Sequence, residues 1–104
     1  MASYQVEVTE QARKEIRLLP GNMRQRVLRT LQSLQHEPRP SSSRALDMTD
    51  LEFEVAHDVT LQRIRLDAWR IVYLIEEEAK FISILAIRKR PPYQYDDLIE
   101  LLTN

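Results

Sequence analysis

The sequence has no cysteine and no long apolar run, and each of these absences excludes a class of protein. Without cysteine, the 104 residues form neither disulfide bonds nor cysteine-based metal sites, which fits a reducing compartment. No stretch approaches the roughly 18 apolar residues of a membrane span, and the opening residues do not resemble a signal peptide. We therefore expect one cytoplasmic domain, residues 1–104, that does not cross a membrane.

Neither sign of charge dominates the chain. It has 15 basic and 16 acidic residues and a formal net charge of -1, which argues against a protein that coats nucleic acid. The charge is segregated, however, since residues 61–95 carry seven basic and four acidic groups, and residues 44–60 carry one basic and five acidic groups. This pattern is compatible with a local anion-binding site in residues 61–95, next to the acidic segment 44–60.

Alternating apolar residues predict an antiparallel meander in the second half of the chain. Its three strands are Leu61–Leu66, Trp69–Ile75 and Phe81–Arg88. If Asp67-Ala68 is the whole first turn, Arg65 faces Arg70 and Leu66 faces Trp69. Trp69 and Tyr73 then share the side of Ile71 and Ile75, which predicts a place in the core.

The first half predicts a strand and a helical hairpin. Tyr4–Val8 alternates as a short strand, Thr9 is a candidate N-cap of the first helix, and Pro20-Gly21 ends that helix. Asn22 is the candidate N-cap of the second helix. Its predicted apolar face consists of Val27, Leu28, Leu31 and Leu34.

The remaining segments are less regular. Residues 36–43 form a proline- and serine-rich loop, and Phe53–His57 is either an extra strand or a loop with anchoring side chains. A short apolar stripe after Asp96 and Asp97 predicts a C-terminal helix. The expected fold is α+β: an N-terminal strand, a helical hairpin on one face of a mainly antiparallel sheet of about four strands, and that last helix.

Three arginines are predicted to crowd the other face of this sheet. Arg63 and Arg65 are two residues apart and share a face, and Arg70 joins them if the turn has two residues. Like charges placed opposite each other destabilise a sheet, so their clustering indicates a bound polyanion. The alternative is that Arg63 and Arg65 belong to a solvated face.

A second basic group ends the last strand. Arg88, Lys89 and Arg90 are followed by two prolines and then by Tyr93 and Tyr95. Arginine binds phosphate oxygens with a bidentate fork, and tyrosine stacks on a base or accepts a proton where cations lower its pKa. The alternatives are a solubilising strand end, and a tyrosine packed under the C-terminal helix. Two histidines, His36 and His57, belong to no catalytic arrangement.

With these residues the chain resembles the RelE family of the RelE/ParE toxin superfamily, over nearly its whole length. The resemblance begins in the opening YQVEVTEQARKEIRLLP, continues through LQSLQHEPRP and is most specific in QRIRLDAWRIVYLI, which looks like the family's RxRxxxxRxxY core. The basic strand end followed by tyrosine adds to it. RelE-type toxins are ribosome-dependent endoribonucleases that cut mRNA in the ribosomal A site without a metal or other cofactor, and an antitoxin protein wraps them.

The resemblance implies roles for individual residues. Arg63 and Arg65 would bind RNA, and Arg88, from the basic end of the last strand, is predicted to bind RNA with them. The residues implied in catalysis are Arg65, Arg70, Lys89, Arg90 and a late tyrosine, either Tyr95 or Tyr93. Two other functions stay open. One is a ParE-like poison of DNA gyrase that cleaves no RNA, and the other is a degenerate toxin that only binds its antitoxin, which the low net charge favours.

Overall fold

The computed structural model describes residues 3–46 and 58–89, which form two helices and a five-stranded sheet. The elements in chain order are β1 (Gln5–Val8), α1 (Glu10–Arg17), α2 (Gly21–Ser33), β2 (Ser43–Ala45), β3 (Val59–Leu66), β4 (Trp69–Glu76) and β5 (Phe81–Lys89). The strand order is β1-β5-β4-β3-β2, with β1 parallel to β5 and the other pairs antiparallel. The predicted α+β architecture is confirmed, with one strand more than expected because β2 pairs with β3.

The main core lies between the helical hairpin and one face of the sheet. Tyr73 is fully buried in this core, and the partly buried Trp69 packs against the core. Both side chains therefore lie on the helix-covered side of the sheet, as predicted. The helical hairpin, with the link between its helices and the C-cap of α2, contributes Ala12, Ile16, Leu19, Met23, Val27, Leu31 and Leu34, and the sheet contributes Ile64, Ile71, Ile75, Ile82, Ile84 and Ile87. Burial of these side chains removes apolar surface from water and is the main stabilising term for the domain.

One of the two predicted helix caps is confirmed and the other is wrong. The Thr9 hydroxyl accepts a hydrogen bond from the Ala12 amide at 3.2 Å, as an N-cap should. The second helix begins one residue before Asn22, after Pro20, which makes no side-chain capping bond. Pro20 has extended backbone angles and its carbonyl accepts from the Arg24 amide at 2.8 Å, so the fixed proline geometry starts this helix.

The apolar face of α2 also differs from the prediction at one position. Leu28 is 44% exposed, whereas Met23 is buried in the core. The face that contacts the sheet therefore follows residues 23, 27, 31 and 34, and Leu28 lies one position beyond it.

The turn between β3 and β4 is the two-residue turn predicted from Asp67-Ala68. Leu66 pairs with Trp69 and Arg65 pairs with Arg70. Asp67 adopts a φ of 55°, a left-handed conformation that aspartate tolerates better than most residues. Its carboxylate also forms an ion pair with Arg26 of α2, which ties the turn to the helical hairpin.

A β-bulge interrupts β5 and changes which side its last residues occupy. Val72 pairs with Ala86 but Tyr73 pairs with Ile84, so Leu85 is an extra residue on β5. Strict alternation from Ile84 would have put Arg88 on the side of the helices. After the bulge, Arg88 instead pairs with Arg70 and shares its face.

The face opposite the helices is divided into an apolar and a basic part. The apolar part is a second buried cluster of Leu61, Val72, Leu85 and Ala86, with Leu46 and Leu74 packed against it. The arginines lie towards the β3–β4 turn. This corrects the expectation of an arginine face, because only one end of that face is basic.

Two predicted elements lie outside the described residues. These are the strand or loop at Phe53–His57 and the C-terminal helix that follows Asp96 and Asp97. Within the described ranges, neither helix is long and apolar enough to cross a membrane.

Candidate functional site

A row of three arginines crosses three neighbouring strands at the basic end of the sheet. Arg65 on β3 pairs with Arg70 on β4, and Arg70 pairs in turn with Arg88 on β5. Paired residues on antiparallel strands have Cα atoms about 4.5–5.5 Å apart and side chains on the same face. The sheet therefore brings together three of the predicted site residues in one line.

Two further arginines form the next row. Arg63 on β3 pairs with Arg44 on β2, so both side chains leave the sheet on the same face as Arg65. Arg44 was not predicted as a site residue, because a three-residue strand is too short to show alternation. Its Nη1 donates to the carbonyl oxygens of Ser41 and Ser43 at 3.1 and 2.8 Å, which holds its side chain near its own strand.

The arginines differ in exposure. Arg65 is exposed, whereas Arg63, Arg70 and Arg88 are partly buried. Partial burial strengthens the interaction of a guanidinium group with an anion, because water screens the charge less there. The basic cluster, defined as Arg44, Arg63, Arg65, Arg70 and Arg88, thus has both accessible and sheltered cations.

A carboxylate from α1 contacts one end of this cluster. Glu15 Oε1 accepts the Ile87 amide proton at 2.9 Å, and Glu15 Oε2 accepts from Arg88 Nε at 3.1 Å. Since β1 pairs with β5 only as far as Ile84, the Ile87 amide lies at an open edge of the sheet. Glu15 therefore accepts a hydrogen bond from the Ile87 amide at this edge and also contacts the Arg88 side chain.

Lys89 does not share the face of the basic cluster. It pairs with Trp69, on the side of the sheet that the helices cover, and its Nζ lies 5.6 Å from the centre of the Trp69 ring. This distance fits a cation–π contact. The structure thus separates Lys89 from the arginines with which it was predicted to act.

The remaining predicted site residues, Arg90, Tyr93 and Tyr95, lie outside the described residues. Among the described residues, Tyr73 is unsuited to proton transfer near neutral pH. It is fully buried, its hydroxyl donates to the Pro38 carbonyl at 2.7 Å, and burial raises the pKa of Tyr73 to about 12. It remains a neutral phenol that fixes the 36–43 loop to the sheet.

Another charged group lies at the far end of the sheet. Glu77 accepts hydrogen bonds from Arg39 and from the Tyr4 hydroxyl, the latter at 2.9 Å. The Arg39 guanidinium holds the pKa of the Glu77 carboxyl below its usual value. These contacts join the residue before β1, the 36–43 loop and the β4–β5 turn, and they stabilise the fold. In residues 3–46 and 58–89, no group of three or more acidic, histidine or cysteine side chains is arranged to hold a metal.

The chemistry available to the basic cluster is the binding of phosphate. Guanidinium groups fork onto phosphate oxygens, and cations on adjacent strands match a ligand with charges spaced along a chain. The same groups would stabilise negative charge that develops on a phosphate during its cleavage.

No protein-family model matches the chain, and a search of curated proteins finds no match. Solved structures of toxins do match it. A chain of the archaeal RelE–RelB complex from Pyrococcus horikoshii is 28% identical, with a TM-score of 0.73 over 89% of this chain and 100% of that one. A chain of a RelBE toxin–antitoxin complex from Mycobacterium tuberculosis is 25% identical, with a TM-score of 0.65 over 85% and 99%. The isolated Escherichia coli RelE toxin shares the fold at 20% identity, with a TM-score of 0.61 over 95% and 98%.

Proposed function

Since this chain belongs to the RelE family, we propose that it is the toxin of a type II toxin–antitoxin system and that it cleaves ribosome-bound mRNA. The observation that carries the proposal is the row of Arg65, Arg70 and Arg88 across β3, β4 and β5. Like charges on neighbouring strands destabilise a sheet, and a phosphate backbone at that position would stabilise these arginines in addition to the Glu15 carboxylate, which already contacts Arg88.

The proposed reaction needs no metal ion. The ribose 2′-oxygen attacks the adjacent phosphorus, the bond from phosphorus to the 5′-oxygen breaks, and the products are a 2′,3′-cyclic phosphate and a 5′-hydroxyl. A base takes the 2′-hydroxyl proton, and an acid returns a proton to the 5′-oxygen. Arg65, Arg70 and Arg88 would hold the phosphate in line and stabilise its added charge.

The proton transfers fall to residues near the end of β5. Tyr95, or alternatively Tyr93, is the proposed base or stacking platform, because both tyrosines follow the basic residues 88–90 closely in the sequence. Lys89 and Arg90 are proposed to act beside it, and Arg63 to hold the RNA. Lys89 contacts Trp69 on the face of the sheet opposite the arginines. We therefore propose that it contacts the RNA at the end of the sheet and not on the arginine face.

The proposed partner is an antitoxin protein, because two of the matching chains come from complexes that contain one. We propose that free toxin acts in the cytoplasm on mRNA in the ribosomal A site. The near-neutral charge of the whole chain favours the degenerate toxin, whereas the local cluster of arginines supports a toxin that binds RNA.

The test is cleavage of a defined mRNA by the purified protein, with and without ribosomes. Cuts that require the ribosome and disappear in Arg65→Ala/Arg70→Ala support the proposal. A matched control, Lys14→Ala/Arg29→Ala, removes two exposed basic residues from the helices and should cut normally. Accumulated DNA breaks on expression, with mRNA intact, would instead indicate a gyrase poison. Harmless expression of folded protein would indicate a degenerate toxin.

A further inference from the structure

We infer that Glu15 is a positioning residue for Arg88 and sets the orientation of its guanidinium group in the proposed RNA site. The inference rests on the proposed function, since it concerns how one arginine of the basic cluster meets phosphate. Its basis is a carboxylate that contacts both the backbone and the side chain at the end of β5.

The two oxygens of Glu15 have different partners. Oε1 accepts from the backbone amide of Ile87 at 2.9 Å, and Oε2 accepts from Arg88 Nε at 3.1 Å and from Gln11 Nε2 at 3.3 Å. Adjacent groups on one strand are therefore held by one carboxylate. The bond to Nε comes from a carboxylate that the Ile87 amide also holds, and it favours one orientation of the planar guanidinium.

The carboxylate itself is held firmly. Its helix is anchored by Ala12 and Ile16, which are buried in the core on either side of Glu15 in the sequence. The Glu15 side chain is 17% exposed and that of Arg88 is 30% exposed, so solvent weakens this ion pair less than one at the surface. A contact between a rigid helix and the end of a strand is suited to hold a reactive geometry.

The contact also opposes a repulsion that the sheet creates. Arg88 lies opposite Arg70, and two guanidinium groups on neighbouring strands repel each other. Glu15 supplies a negative charge on the outer side of Arg88, which balances that repulsion. The Nε contact occupies one of the five guanidinium N–H donors of Arg88.

The prediction is that Glu15→Ala lowers the maximal rate of mRNA cleavage on ribosomes on the order of 10- to 100-fold, because small misplacement of a binding group is costly. The KM for programmed ribosomes should change much less. Glu10→Gln, which removes one exposed negative charge from the same helix, serves as control and should keep the wild-type rate.

A double-variant cycle separates positioning from a general effect on the fold. In an Arg88→Ala background, Glu15→Ala should cause no further loss of rate, whereas a merely structural role of Glu15 would lower the rate equally in both backgrounds. Circular dichroism establishes that each variant is folded. A second readout is the NMR signal of the Arg88 Nε proton, whose protection from exchange should be lost in Glu15→Gln.

The outcomes distinguish the inference from the function on which it rests. Wild-type cleavage with an equally fast Glu15→Ala, or equal losses in both backgrounds, overturns the positioning role alone. A folded wild type that cuts no ribosome-bound mRNA overturns the proposed function, and the positioning role with it.

Discussion

Arg65 and Arg70 lie directly opposite each other on β3 and β4, next to the two-residue turn that joins these strands. Like charges in this arrangement destabilise an antiparallel pair by about 0.2–1 kcal/mol. Removing one charge of this pair is therefore expected to raise the stability of the protein and to lower its activity. Arg65 is the exposed partner, so it can be replaced without disturbing the core.

We expect Arg65→Gln to raise the free energy of unfolding by about 0.2–1 kcal/mol and to lower mRNA cleavage. The gain should shrink at high salt, which screens exposed charges. Urea unfolding at two salt concentrations measures it. Arg29→Gln removes the same charge from an exposed position on α2 and should change stability by less than about 0.5 kcal/mol. A clear loss of stability in Arg65→Gln would contradict the repulsion.

Arg24 is expected to stabilise the helical hairpin. Its guanidinium donates to the Ile16, Arg17 and Leu19 carbonyls at 3.1–3.3 Å, at and just after the end of α1, where carbonyl groups lack the amide of a following helical turn. Arg24→Ala should lower the free energy of unfolding by about 1–2 kcal/mol, since it removes charge-assisted bonds at a helix C-terminus. Arg29→Ala on the same helix is the comparison in chemical denaturation. Equal stability of the two variants would show that the cap contributes nothing.

Tyr73 predicts a loss of stability at alkaline pH. Burial raises the pKa of its phenol to about 12 in the folded protein, above the usual value of 10.0. As the pH rises, the phenol of the unfolded chain therefore loses its proton before that of the folded protein. The contribution of Tyr73 to the free energy of unfolding is fully present below about pH 10 and decreases as the pH rises towards 12.

Tyr73→Phe has no such proton, so its stability should fall less steeply over the same range. It should also be less stable at neutral pH by about 1 kcal/mol, because the bond to the Pro38 carbonyl is lost. Urea unfolding at pH 8, 10 and 11 measures both effects. Parallel pH profiles for the two proteins would contradict a buried, neutral phenol.

The fold and half of the site follow from local patterns in the sequence. Alternation and a two-residue gap are enough to put Arg65 opposite Arg70, because side chains change face at each residue of a strand. The same alternation assigns Trp69 and Tyr73 to the core side. Thr9 is predictable as a cap from its own chemistry and its position before an amphipathic helix.

The rest depends on contacts between distant residues. Arg88 reaches the face of Arg70 only because Leu85 is bulged, and a bulge leaves no signal in an alternation of apolar residues. Glu15 meets Arg88 across 73 residues of sequence. Arg44 joins the cluster through a strand too short to show a period. The exposure of Leu28 likewise reflects where the sheet lies against α2.

The most direct test of the central claim is to map the 5′ ends of ribosome-bound mRNA after the chain is expressed alone from a tightly controlled promoter. The account predicts new ends within codons, in register with the reading frame, that are absent from Arg65→Ala/Arg70→Ala and present in Lys14→Ala/Arg29→Ala. Unchanged 5′ ends in cells that contain folded wild-type protein would contradict it.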